Sequence, residues 1–433
     1  MNGPPLSRPL LVMLDGVLVR SSLLWECLLA FLKQDLRRIW MLPLWLLRDR
    51  ARFARRLYAA AAIDAATLPY DRALLARLAA ERASGRRIVL AAGASPPFAR
   101  RVAAHLGLFD LVLAEAPGRP AGLHDYEVVD AGHAATFGGR RGGSALALLR
   151  ALRPRQWLKN LLVLMPMLAG HELGLPALAA SAVAFAAFSL CASSAYLLND
   201  SLDAHDDRLH PTKQARPIAS GALGIPLALS ASLVLALAGL GLALLFHPVL
   251  GAVAGLYFVS TLAYSTWLKR LMMVDIIALA ILYSLRVLGG SAATGIAPSF
   301  WLIAFSFFLF LSLALLKRYS ELFNLKRAGR EKTRGRGYIT ADKAAVGIMG
   351  INSAFLSVLI VLLYFNSSNV IALYPHRGWL LATLPLLVLW LGRLWILAYR
   401  GKVNEDPVLY VSTDRTSLAV FALCLVCAVA AAR

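Results

Sequence analysis

The chain has 433 residues, of which 59% are hydrophobic and 16% charged, with a formal net charge of +21. That length admits two or three domains, but so apolar a composition excludes an ordinary water-soluble fold. The basic excess then points away from nucleic acid and toward cytoplasmic loops and anionic lipid headgroups.

From the N-terminus, no secretory signal peptide is visible, and the start of the chain is expected inside. Pro9–Leu14 reads as a buried parallel strand ending at Asp15-Gly16, and Arg87–Ala92 as a second. The helix Pro97–Leu106 follows the second strand, and Ser22 to about Leu68 is helical material between the two. Such alternation predicts an α/β sheet over residues 1–140. Within it, Trp40–Leu47 is apolar enough to touch a membrane and too short to span one. Phe137–Ser144 is Gly-rich and basic, and a linker is expected over 141–152.

Residues 153–433 read as an all-α membrane bundle of about nine spans, each needing roughly 20 apolar residues. The runs are 156–172, 176–198, 224–245, 249–267, 274–294, 300–319, 345–365, 378–399 and 413–432. With the N-terminus inside, the even-numbered loops carry the basic residues: Arg208, Lys213 and Arg216; Lys269 and Arg270; the stretch Lys317 to Lys343; and Arg400, Lys402 and Arg415. The outer loops carry only Arg377, so the positive-inside rule predicts cytoplasmic active-site loops and an external C-terminus. The cysteines are Cys27, Cys191, Cys424 and Cys427. The last two form a C-x-x-C inside the apolar run Leu418–Ala432, where no disulfide or metal role is expected.

Chemistry concentrates after the second run, at Asn199-Asp200-x-x-Asp203-x-x-x-Asp207. Spacings of three and four place the three aspartates on one face of a continuing helix. Their mutual repulsion calls for a cation, and Mg²⁺ prefers carboxylate oxygens and completes its shell with substrate phosphates. Acid clustered in an otherwise basic set of loops goes against the trend of the chain. Lys213 and Arg216 follow closely and suit phosphate, Arg bidentately. A diphosphate so held is a leaving group whose charge is already compensated, which predicts substitution at carbon with loss of diphosphate. Arg286 falls in mid-span, where a charge needs a function or a buried partner such as Asp275. Asp414 and Arg415 read as a cap on the last span.

The N-D-x-x-D-x-x-x-D motif and the nine-span plan resemble the UbiA superfamily of intramembrane prenyltransferases over residues 150–433. Within it, four stretches are similar to the branch containing decaprenyl-phosphate phosphoribosyltransferase. They are Arg153-Pro-Arg-Gln-Trp-Leu-Lys159-Asn160, His210-Pro-Thr-Lys213, Tyr264 through Lys269 to Asp275, and Lys317-Arg-Tyr-Ser-Glu321. The resemblance implies Mg²⁺ on Asp200, Asp203 and Asp207, with Asn199 beside them in the catalytic loop. It implies substrate binding by Lys159, Asn160, Lys213, Arg216, Tyr264, Lys269, Arg286, Lys317 and Glu321. The substrates would be phosphoribosyl diphosphate and a polyprenyl phosphate, in a multi-pass protein of the inner membrane, with no nucleic acid and with a homo-oligomer left open. The family's prenyltransferases carry a second D-x-x-x-D in the sixth loop, and here Lys317 and Glu321 stand instead. That departure favours a phosphate acceptor over prenylation of an aromatic acceptor, the alternative enzyme reading. A transporter is the alternative outside enzymes.

Val12-Met13-Leu14-Asp15-Gly16-Val17 resembles the first motif of haloacid-dehalogenase-like (HAD-like) phosphatases, a Rossmannoid α/β fold. The nucleophile position is Met13, which cannot attack phosphorus. The second-motif hydroxyl would fall at Ala91 or Ala92, with Ser95 displaced, and Asp125 to Asp130 is a remnant of the last motif. The resemblance therefore implies a non-catalytic domain.

Overall fold

The computed structural model describes residues 8–432 except 49, 62, 94, 114–125, 130–143, 211, 333–335 and 404–405. Asp125, Asp130 and the glycine-rich part of the expected linker lie outside the described residues.

Leu10–Met13 (β1) and Ile88–Ala91 (β2) are unbroken apolar runs, as strands covered on both faces must be. They pair in parallel, Leu10 opposite Ile88. Leu111–Leu113 (β3) joins beside β2 and Glu127–Val129 (β4) beside β1, giving a parallel sheet of order β3-β2-β1-β4. The segment between β1 and β2 holds helices Leu23–Gln34 (α1), Met41–Arg48 (α2), Arg50–Ala60 (α3) and Arg72–Ala83 (α4). Pro96–Leu106 (α5) follows β2 and stops at Gly107, whose φ of 63° is the left-handed region that glycine tolerates. Leu10, Val12, Leu18, Cys27, Phe31, Leu57, Leu78, Leu90 and Phe98 belong to one buried core. The apolar face around α2 is left outside it, with Trp40 77%, Leu44 60% and Leu47 85% exposed.

Part of the expected linker is helical, Ser144–Ala151 (α6). The first expected span is not a regular α-helix. It is the 3₁₀ segment Pro154–Leu164 followed by a short helix, Met165–Ala169. Eight helices among the described residues are long and apolar enough to cross a membrane, where nine runs are expected from the sequence. They are Leu175–Leu202 (α7), then Ile225–Phe246, Pro248–Thr266, Val274–Thr294, Phe300–Arg327, Thr340–Phe365, Gly378–Tyr399 and Arg415–Ala432.

The chain divides into two compact units that do not follow the expected boundary near residue 140. One gathers Met1–Arg153 with Tyr196–Val234, the other Pro154–Ala195 with Leu235–Arg433. The acidic stretch therefore folds with the N-terminal sheet, because side chains of these two regions pair directly, as described below.

In the second unit, close packing is set by small residues. A Cβ on Gly350 would run into the Trp395 ring, and one on Gly290 into the backbone of Val163. The Trp395 indole donates to Ser312 Oγ (3.1 Å), which donates to the Gly350 carbonyl (2.8 Å). Lipid supplies little hydrophobic drive between helices, so such close approaches and buried hydrogen bonds carry the association.

Candidate active site

In the first unit the last turn of α7 delivers Asn199 and Asp200, and the helix does not run on unbroken. It ends at Leu202, Asp203 takes φ −95°, ψ 4°, and Ala204–Arg208 (α8) resumes after it. The expected single face of three aspartates is thereby split. Asp200 and Asp207 are 2% and 4% exposed. Arg216 Nη1 donates to both, to Asp200 Oδ1 at 3.1 Å and to Asp207 Oδ2 at 2.6 Å. Arg153 Nη2 donates to the two oxygens of Asp200 at 2.7 and 2.6 Å. Its guanidinium also lies 5.0 Å from the centre of the Tyr196 ring. Arg153 adopts φ 55°, a left-handed conformation costly for any residue with a side chain and held only where the surroundings enforce it. Burial raises the Asp207 carboxyl above the usual carboxylate range, against the pull of Arg216 and Lys213.

Asp203 faces elsewhere. Lys33 Nζ donates to Asp203 Oδ1 (2.9 Å), Asp206 Oδ2 (2.6 Å) and the Leu202 carbonyl (3.2 Å). No group of three acidic, His or Cys side chains among the described residues is arranged to hold a metal ion. Asp200 and Asp207 as a pair do suit one: both are buried oxygen donors, and a cationic nitrogen already sits between them. Mg²⁺ is commonly bound through one or two carboxylates plus substrate phosphates. The chemistry of these two oxygen donors fits Mg²⁺, while Asp203 is paired with Lys33 in this structure. Lys213 opens the short 3₁₀ turn Lys213–Ala215, close enough for its charge to act on Asp207.

The second unit carries a separate polar cluster. Lys159 Nζ donates to Asp406 (2.7 Å), and Asn160 Nδ2 to Ser189 Oγ (3.0 Å). Arg286 donates to Asn160 Oδ1 (2.8 Å) and Tyr257 Oη (2.9 Å), its guanidinium lying over the Tyr257 and Tyr283 rings. Asp275, expected as its partner, instead accepts from Arg318 (2.5 Å) and Tyr338 (2.7 Å). The Arg318 and Asp275 side chains are wholly buried. Glu321 accepts from Arg318 and pairs with Arg336 (3.2 Å). Lys317, on Phe300–Arg327, lies in the fields of Lys159, Arg336 and Asp406. Burial raises the Asp406 carboxyl, but Lys159 and Lys317 outweigh it and hold the group below its usual range. The Tyr264 hydroxyl and Gln156 Oε1 are buried without a hydrogen-bond partner among the described residues. Lys269 lies in the 3₁₀ turn Leu268–Arg270.

Hydrogen bonds, ion pairs or electrostatic proximity thus link Lys159, Asn160, Arg286, Lys317 and Glu321 to neighbours that include Asp406, Arg318 and Arg336, to which sequence reasoning gives no role. Asp406 precedes Pro407 at a helix start, and that local role masks its partnership with Lys159. Asp414 is a cap, as expected: it accepts the Ser417 N–H (2.9 Å) and pairs with Arg393 (2.7 Å).

The family model of the UbiA prenyltransferase family matches residues 161–413. The uncharacterized protein y4nM of Sinorhizobium fredii is 30% identical over 465 residues, covering 96% of this chain and 89% of that protein. Decaprenyl-phosphate phosphoribosyltransferase of Mycobacterium tuberculosis is 38% identical over 187 residues, covering 42% of this chain and 62% of the enzyme. Among solved structures, a UbiA homolog from Archaeoglobus fulgidus bound to GPP and Mg²⁺ shares the fold, with TM-score 0.51 and 17% identity. The match covers 65% of this chain and 99% of that one. With its apolar helices and these matches, the chain belongs to the UbiA prenyltransferase family of membrane transferases.

Proposed function

We propose that the chain transfers 5-phosphoribosyl from phosphoribosyl diphosphate to a polyprenyl phosphate, releasing diphosphate. The observation that carries this reading is the set of cations around Lys159 and Lys317. A second acidic cluster would suit a second metal on an allylic diphosphate. Here Asp275 is occupied by Arg318 and Tyr338, and the neighbourhood is basic. Lys159 and Lys317 both lie in the field of Asp406, but Arg318 and Arg336 add further positive charge around Lys317, and surroundings so rich in cations suit a lipid phosphate. The similarity to decaprenyl-phosphate phosphoribosyltransferase supports the same donor and acceptor.

Asp200 and Asp207 would hold Mg²⁺, which would supply positive charge to the donor's diphosphate. Arg216 and Lys213 would turn to the diphosphate oxygens, and Arg153 would keep Asp200 oriented. Lys159 and Lys317 would grip the lipid phosphate. One of its oxygens attacks the anomeric carbon as the bond to diphosphate breaks, through an oxocarbenium-like state, and diphosphate leaves with the electron pair. The acceptor is already an anion, so no general base is needed. Active-site loops on the cytoplasmic side of an inner membrane belong to the same reading, since the positive-inside rule puts basic loops there.

The N-terminal sheet is read as a phosphatase-like fold without a nucleophile. Asp15 Oδ1 accepts the Leu23 N–H (3.0 Å), the task of a helix cap rather than of catalysis.

Membranes containing the chain, incubated with labelled phosphoribosyl diphosphate, polyprenyl phosphate and Mg²⁺, should yield a labelled lipid phosphate. Labelled lipid absent here, with product formed instead from a polyprenyl diphosphate and an aromatic acceptor, would replace this reading with prenyl transfer.

A further inference from the structure

Between β1 and β2, one helix carries more apolar surface than the N-terminal fold covers. Leu42 and Trp45 of α2 pack against the core of that fold, and the centre of the Trp45 ring lies 5.3 Å from that of Phe31. Trp40, Leu44 and Leu47 recur at spacings of four and three, so they share the opposite side of the helix. All three are more than half exposed, and Ile39, Met41 and Leu46 beside them are exposed as well. A helix that is apolar all round needs cover on both sides, and this one has it on one. Six large apolar side chains exposed within residues 39–47 mark an interaction surface rather than scattered exposure.

Charge selects what covers it. Between Leu36 and Tyr58 the sequence holds seven arginines against a single acid, Asp49. Of the arginines, Arg52, Arg55 and Arg56 on α3 are exposed. A second copy docked on this face would bring two such sets together and be opposed by their repulsion. An anionic lipid surface brings the opposite charge. The N-terminal fold is also fastened where lipid is near. Arg208, just past the end of α7, donates through both terminal nitrogens to Glu26 of α1, at 2.5 and 3.1 Å. Lys33 of α1 pairs with Asp203 and Asp206, and α2 follows α1 after the 3₁₀ turn Leu36–Trp40. A fold tied to the foot of a crossing helix meets the leaflet at high effective concentration, so a shallow contact is enough.

We propose that α2 lies in the plane of the membrane on the side of the acidic loop. Trp40, Leu44 and Leu47 enter the boundary between headgroups and acyl chains, and the arginines of α3 take up anionic headgroups. Insertion of such a helix reaches about 5–10 Å, which suits a segment too short to span.

The test uses the full chain carrying Cys424→Ser and Cys427→Ser, in nanodiscs of phosphatidylcholine alone or mixed with phosphatidylglycerol. Cys27 and Cys191 are buried and stay unlabelled. A nitroxide is attached in turn at Leu44→Cys, at Leu47→Cys and, on the exposed side of α4, at Ala80→Cys. Its collisions with oxygen, which concentrates in lipid, and with a nickel chelate, which stays in water, are measured. Labels at 44 and 47 should meet oxygen more often than the chelate, and the label at 80 the reverse. With the label at 47, Trp40→Ser should lower the ratio of docked to undocked label about tenfold or more in both lipids, as expected for a large side chain leaving an apolar boundary. Arg55→Gln with Arg56→Gln should lower it about twentyfold in the mixed lipid, two charges at about fivefold each, and leave it unchanged in phosphatidylcholine.

Labels at 44 and 47 that meet the chelate as freely as the label at 80 overturn the docking. Labels shielded from both probes overturn it too, because protein then covers the face, as a second copy would. Equal ratios in the two lipids, with the arginine pair without effect, overturn the part played by anionic headgroups. If Trp40→Ser does not fold, the labels and the arginine pair still decide. No substrate is present, so the outcome is independent of which group the chain transfers.

Discussion

Asp200 and Asp207 share one guanidinium and are nearly inaccessible, while Asp203 is paired with Lys33. Three residues equivalent by spacing are thus unequal by environment. Asp200→Asn and Asp207→Asn should each lower diphosphate release by at least about a hundredfold, as expected when compensation of leaving-group charge is removed. Asp203→Asn should cost about tenfold or less, since it loses only a contact to a partly exposed ammonium. Initial rates at saturating Mg²⁺ check this, and equal losses at all three positions would restore the symmetrical site. Arg153 is visible in the sequence only as part of a similar stretch. Its grip on Asp200, 47 positions away, has no local signature. A second expectation at this scale concerns pH. The hydrogen bonds from Arg393, together with those from Ser417, hold the Asp414 carboxyl at about 2, below its ordinary 3.8. A depressed carboxyl contributes stability above its unfolded value and loses it as pH falls through the folded one, here between about 4 and 2. Thermal unfolding in detergent should show a declining midpoint across that window, and Arg393→Gln should flatten the decline.

At the scale of elements, two transmembrane glycines make opposite predictions. A Cβ on Gly290 would overlap the Val163 backbone, which cannot step aside as a flexible side chain could. Gly290→Ala should therefore destabilise by about 1–3 kcal/mol, the usual range for overpacking. Gly241, in Ile225–Phe246, has nothing within 4 Å of such a Cβ. Gly241→Ala should be neutral or stabilising by up to about 1 kcal/mol, because it removes backbone freedom from the unfolded chain. Thermal midpoints of the two variants, compared with the unaltered chain in one detergent, decide between these signs. The sequence shows both glycines in apolar runs and cannot distinguish them. What differs is the neighbour, which only packing supplies.

For the whole molecule, the expected topology turns on residues 154–169. The 11 residues of Pro154–Leu164 are 3₁₀ and the 5 of Met165–Ala169 are α-helical. At about 2.0 Å per residue for the first and 1.5 Å for the second, an aligned run would reach roughly 30 Å. That is about the thickness of a hydrocarbon core. The same residues as an ordinary α-helix would reach only about 24 Å. A crossing here, with the eight long helices, puts the C-terminus opposite the N-terminus. A reporter that is active only outside the cell should then work when fused after Arg433 and stay silent when fused before Met1. Reporters on the same side would show that the segment does not cross.

Hydropathy, loop charge and the strand–helix alternation are legible in the sequence because each is set by residues close together in the chain. Apolar length decides what can lie in lipid, and a run such as Ile88–Ala91 is a buried strand wherever it is placed. The acidic motif is legible for the same reason, as spacing along one helix. Its division is not. Which carboxylate meets Arg216, which meets Lys33, and which cation meets Asp275 depend on side chains 9 to 173 positions apart, brought together only by the fold. A charge can pair with any opposite charge within reach, so composition leaves the choice open and the tertiary structure makes it.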